Sequence, residues 1–98
     1  MSQPKLIPDH FDFVATVPQW QRIEGSTQLA REFIFKDFKG AFQFMTLSAN
    51  FAEEINHHPD WSNTWNKVSV RLSTHSMKTL TELDIAMACA MDRFALQV

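Results

Sequence analysis

Three imidazoles and their neighbours carry the chemistry this chain offers. The run Glu53-Glu54-Ile55-Asn56-His57-His58-Pro59-Asp60-Trp61 sets two adjacent histidines between acidic residues and a tryptophan, and His75 follows at the end of an alternating segment. Imidazole gains or loses a proton near neutral pH, so grouped histidines can supply both an acid and a base. Pro59 stops a helix and holds the residue before it extended, and the flat ring of Trp61 is suited to walling a pocket. Neither Ser73 nor Ser76 sits in a recognisable nucleophile elbow. Cys89 falls in an apolar helical pattern, as a small buried residue would. Three histidines without a nucleophile point to proton transfer on a small aromatic molecule.

Each residue also has a plainer reading. A lone histidine is more often structural than catalytic, but two at a helix-to-loop transition and a third at a strand end lie where functional groups concentrate. Zinc sites draw ligands at spacings such as HxxxH or HxH, often with cysteines, and adjacent histidines rarely bind one ion, so no metal is expected. Glu53, four residues before His57, is a candidate to orient an imidazole; Glu54 reads as solvated. Trp61 and Trp65 also suit a core. Asp84 reads as a cap residue rather than a catalytic acid, and His10, isolated near the N-terminus, is given no role.

The elements that position these residues can be read from periodicity. Residues 1–18 are punctuated by Pro4, Pro8 and Pro18 and form an expected N-terminal arm. Trp20 to Glu24, the turn Gly25-Ser26 and Thr27 to Lys36 read as a hairpin, with Leu29, Arg31, Phe33 and Phe35 on one face and Arg31 its imperfection. Asp37 caps an expected helix with Phe38, Ala41, Phe42, Met45, Ala49, Ala52 and Ile55 at three- and four-residue spacing, ending near Asn56. Gly40 is its weak spot, at about 1 kcal/mol relative to Ala, unless something packs closely there. A second hairpin runs from Ser62 to Trp65, turns near Asn66-Lys67 and continues from Val68 to Thr74. There Val68, Val70, Leu72 and Thr74 alternate with polar residues. Thr81-Glu82-Leu83-Asp84 has the capping-box form and opens a helix to about Ala95. That helix carries more apolar surface than one sheet face requires, which points to a subunit contact.

The order β-β-α-β-β-α, with short connections, gives an α+β, two-layer fold: a four-stranded antiparallel sheet with helices packed on one face. The chain has 98 residues, enough for one domain spanning 1–98. Nine Phe and three Trp suit a core between helices and sheet, and two glycines argue against a phosphate-cradling loop. With a net charge of −2 and no basic block, direct binding to nucleic acid or an acidic membrane is not expected. One cysteine fits a reducing compartment. The sequence shows neither an N-terminal signal-peptide run nor a bilayer-spanning stretch, so a cytoplasmic protein is expected.

Taken together, Glu53, His57-His58-Pro59, Trp61, Asn63, Trp65-Asn66, Val68, Thr74-His75, Leu80-Thr81 and Asp84 resemble the pterin-4a-carbinolamine dehydratase family, also known as the dimerization cofactor of a hepatocyte nuclear factor. Phe35-Lys36-Asp37-Phe38, Ala41-Phe42 and Phe44-Met45 resemble the same family's strand-to-helix passage, and the likeness runs from about residue 20 to 95. Three positions depart from the pattern. Thr79 stands where members often have Gly, Trp65 where Tyr is common, and Asn56 where some carry Asp.

The resemblance implies loss of water from a 4a-hydroxytetrahydropterin to give a quinonoid dihydropterin, within tetrahydrobiopterin recycling. It implies His57, His58 and His75 as the catalytic set, with no redox cofactor or metal, and leaves open which ring is acid and which is base. It also implies a pterin pocket lined by Asn56, His57, His58, Ser73, Thr74, His75 and Ser76, with Trp61 at its wall or supporting the loop. Members form dimers through sheet edges and sometimes tetramers through the last helix, so a homodimer or homotetramer is expected. The alternative is a binding module or transcriptional coactivator that docks its last helix on a partner protein; a pure docking role would not require the three histidines.

Overall fold

Alternating apolar side chains build the sheet, and two amphipathic helices cover it. The structure, a computed structural model, describes residues 3–98. After a short helix α1 (Phe13–Thr16) come β1 (Gln21–Ile23), β2 (Gln28–Ile34) and α2 (Phe38–Ile55). They are followed by β3 (Asp60–Thr64), β4 (Lys67–Leu72), a 3-10 turn (His75–Met77) and α3 (Glu82–Gln97). The four strands form one antiparallel sheet in the order β1-β2-β4-β3. This is the expected α+β architecture.

Register explains which face is apolar. Leu29 pairs with Leu72, Arg31 with Val70 and Phe33 with Val68, so Leu29, Phe33, Val68, Val70 and Leu72 share one face and are buried. Arg31, the imperfection of that face, lies in mid-strand. Its guanidinium stacks 4.0 Å over the Phe33 ring and pairs with Asp92 of α3 at 2.5 Å. Trp20 Nε1 donates to the same Asp92 oxygen at 2.8 Å, so one carboxylate joins the sheet, α3 and the segment before β1.

The second hairpin turns at Trp65-Asn66, one residue earlier than the sequence suggests. Asn63 Nδ2 donates to the carbonyls of Trp65 and Lys67 at 3.0 and 2.9 Å, and Trp65 takes φ 51°. Lys67 is thereby freed to begin β4.

Both long helices begin on side-chain caps. Asp37 Oδ1 accepts from Gly40 N at 2.8 Å. A Cβ at Gly40 would lie 3.3 Å from that oxygen, which is the close packing that justifies a glycine there. The buried stripe of α2 is Ala41, Phe44, Ser48 and Ala52, shifted from the expected one. Phe38 and Phe42 are 50% and 55% exposed and pack on each other at 5.8 Å. The apolar residues of α2 span so wide an arc that periodicity leaves open which part meets the sheet. In α3, Met87, Ala88, Ala90 and Met91 are fully buried within the chain, so α2 and the sheet already cover much of the apolar run read as surplus. Helix α3 reaches Gln97, two residues past its expected end.

The N-terminal arm is tied to the start of α3. Leu6 bridges Thr81, and Glu82 N donates to the Lys5 carbonyl at 2.9 Å. Val17, at the end of α1, is buried in the core.

Candidate active site

Strand pairing brings the chemistry-bearing loops to one end of the sheet. Asp60, the first residue of β3, pairs with Arg71 near the end of β4. The segment before Asp60, with both adjacent histidines, therefore leaves the sheet at the same end as the segment after Leu72, with Ser73, Thr74 and His75. Leu29, near the start of β2, pairs with Leu72, which adds Thr27 and Gln28 to that end. A hollow of about 180 Å³ there is lined by Thr27, Gln28, Ser73, Thr74, His75 and Lys78.

The end of α2 aims the histidines. Asn56 adopts the left-handed conformation (φ 51°, ψ 47°), which asparagine tolerates better than most residues. The His57 amide donates to the Ala52 carbonyl at 3.0 Å and the Asn56 amide to the Glu53 carbonyl at 3.4 Å, the two bonds of a Schellman ending. The chain turns sharply, His57 is driven inward and His58 stays outside.

Each of the two adjacent imidazoles meets a carboxylate. His57 Nε2 lies 2.7 Å from Asp84 Oδ1, with the carboxylate fully buried and the His57 side chain 10% exposed. His58 Nε2 lies 2.6 Å from Glu53 Oε2. Glu53, expected to orient an imidazole at i,i+4, thus pairs with His58 at i,i+5, because the left-handed Asn56 rotates the next residues off the helical path. The His58–Glu53 pair is exposed, and such pairs contribute about 0–1 kcal/mol, so its effect is to set ring orientation.

Asp84 was legible as a cap, and it is one: its Oδ2 accepts from the Thr81 amide at 2.9 Å, while Thr81 Oγ1 accepts from the Leu83 amide at 3.3 Å. Periodicity misses its second contact, with a histidine 27 positions away. Asp84 Oδ2 also accepts from Thr74 Oγ1 at 2.8 Å, and Thr74 Oγ1 lies 2.6 Å from Thr81 Oγ1. Thr74, His57, Thr81 and Asp84 thus form one buried polar cluster. The only advance signal was the Thr-x-x-Asp cap on a helix that had to begin near His75.

The other expected site residues take varied positions. Ser73 and His75 line the hollow, and Ser76 is exposed in the 3-10 turn. Asn56 is exposed at the helix end. Trp61 pairs with Val70 and packs against the core, apart from the residues lining the hollow.

The sequence pattern of the pterin 4 alpha carbinolamine dehydratase family matches residues 7–94. The chain belongs to this family. Two similar relatives, from Brucella ovis and Brucella canis, are provisionally named pterin-4-alpha-carbinolamine dehydratases. Each is 49% identical over 76 residues, covering 78% of this chain and 78% of the relative. A crystal structure described as a transcriptional coactivator/pterin dehydratase from Brucella melitensis superposes with a TM-score of 0.80 at 45% identity, covering 84% of this chain and 87% of that one. A pterin dehydratase-like protein described as a RuBisCO assembly factor in the alpha-carboxysome shares the dehydratase fold. Its TM-score is 0.68 at 22% identity, over 79% of this chain and 89% of that one.

Proposed function

We propose that this chain dehydrates a 4a-hydroxytetrahydropterin to the quinonoid dihydropterin, with His57, His58 and His75 as the catalytic set. The observation that carries the reading is the pairing of both adjacent imidazoles with carboxylates, His57 with Asp84 and His58 with Glu53, at the sheet end that also presents His75. An imidazolium donates a proton to the 4a-hydroxyl, the C4a–O bond breaks and water departs. The N5 lone pair closes the C4a=N5 double bond, and a neutral imidazole takes the proton from N5. Each positioned proton transfer is worth about 10²–10⁴-fold.

In this reading Ser73 and Ser76 offer hydroxyl and backbone groups to the pterin's polar edge, the common way a small hollow fixes orientation. Thr74, buried with its hydroxyl on Asp84, supports the hollow from beneath. Asn56 contributes by setting the turn before His57, and Trp61 by bracing the loop from the core side. The reaction belongs to tetrahydrobiopterin recycling in a reducing compartment such as the cytoplasm, and the active form is a homo-oligomer.

The test generates the carbinolamine with an aromatic amino-acid hydroxylase and follows its decay by absorbance. Added protein is expected to speed the decay, and His58→Ala to remove most of the effect. Decay at the uncatalysed rate with the intact protein would reject the assignment.

A further inference from the structure

We propose that Thr74 and Thr81 are positioning residues that lock the orientation of Asp84, whose carboxylate dictates the tautomer of His57. The inference rests on the dehydratase reading for its catalytic consequence, though not for its geometry. Four short contacts fix the direction of a hydrogen-bond chain. A carboxylate only accepts, and Asp84 meets three donors: His57 at Oδ1, with Thr74 Oγ1 and the Thr81 amide at Oδ2. The single Thr74 hydroxyl proton is therefore spent on Asp84. The contact between Thr74 Oγ1 and Thr81 Oγ1 must then be donated by Thr81, whose oxygen in turn accepts from the Leu83 amide. The relay runs one way, from the first turn of α3 through two hydroxyls to the carboxylate. Its end requires that His57 donate from Nε2, which leaves Nδ1 as the ring's lone pair. Neutral His57 is thus fixed as the Nε2–H form, able to accept a proton at Nδ1.

The relay also predicts the effect of an isosteric change. In Asp84→Asn the donors Thr74 Oγ1 and Thr81 N demand the amide oxygen at the Oδ2 position. The amide NH₂ then faces His57 Nε2, which must accept, and the ring is driven to the Nδ1–H form. Neither threonine touches the ring, so both act through Asp84.

The deciding measurement is long-range ¹H–¹⁵N correlation NMR of the full chain, which reads imidazole tautomers without substrate. In the wild type, His57 is expected as Nε2–H; in Asp84→Asn it inverts to Nδ1–H. With Asp84 in place Thr74→Val leaves His57 as Nε2–H, because a carboxylate still only accepts. In the Asp84→Asn background Thr74→Val removes one of the two donors that hold the amide and mixes the two forms, whereas Thr74→Ser there keeps Nδ1–H. In the decay assay Thr74→Val lowers kcat by about tenfold with KM within about twofold, while Asp84→Asn lowers it by about 10³–10⁴-fold, the scale of a wrong-tautomer imidazole. A wild-type Nδ1–H ring, or an Asp84→Asn spectrum like the wild type, overturns the relay. The wild-type tautomer needs no variant to fold, so the proposal stays exposed even if Thr74→Val does not. A spectrum that inverts as expected in a protein without dehydratase activity keeps the relay and rejects the reaction instead.

Discussion

A carboxylate at the third position of a helix ordinarily closes a capping box, and Asp84 does so with one oxygen while the other holds His57. The cap was legible because it is local, spanning Thr81 to Asp84. The imidazole contact was not, because only the folded sheet brings residues 57 and 84 together. Cys89 shows the limit of local pattern, since its apolar helical surroundings predicted a buried residue and the fold leaves it partly exposed. It is half-buried, and desolvation by burial pushes its thiol up, with Asp92 acting in the same direction and Arg93 opposing. A raised thiol holds less thiolate at neutral pH, and the thiolate is the reactive form. Iodoacetamide at pH 7.5 is therefore expected to alkylate the native protein several-fold more slowly than the urea-unfolded chain, as mass spectrometry would show. Equal rates would contradict the burial argument.

At the scale of elements, strand β4 was plain in the sequence, since Val68, Val70 and Leu72 alternate with polar residues and all three are buried. Helix α2 was legible in extent but not in rotation. Ser48 lies in its buried stripe with an Oγ that lacks a hydrogen-bond partner among the described residues, while Phe38 and Phe42 face outward. A period of 3.6 shows that a helix has a face, and only the opposing surface shows which one it is. The end of α2 offers a test of whether Asn56 acts through backbone shape. Asn56→Gly suits a left-handed position and should hold stability within about 0.5 kcal/mol and retain activity, whereas Asn56→Val should cost about 1–2 kcal/mol by thermal unfolding. Loss of activity in a stable Asn56→Gly variant would show that the side chain itself meets substrate.

For the molecule as a whole, the helices pack on one side of the sheet. On the other face, Glu32, Ser62, Ser69 and Arg71 border an open concavity of about 800 Å³. Strands β1 and β3 are the outer strands, with free backbone edges among the described residues. Edge strands are templates for pairing with another chain, and sedimentation equilibrium at micromolar concentration is expected to give at least twice the 11.3 kDa chain mass. A monomer at that concentration would remove the assembly from the functional reading. No helix is long and apolar enough to cross a membrane among the described residues.

The fastening of the segment before β1 to α3 has a consequence for biosynthesis. Lys5 meets Glu82, and Trp20 reaches Asp92 across 72 positions. Asp84 must leave the ribosome before His57 gains its carboxylate, so the sheet's strands can all emerge while the ring still lacks its anchor. The proposed site is therefore completed only once α3 has begun to form, and a nascent chain cut short before α3 carries His57 without the carboxylate that aims it.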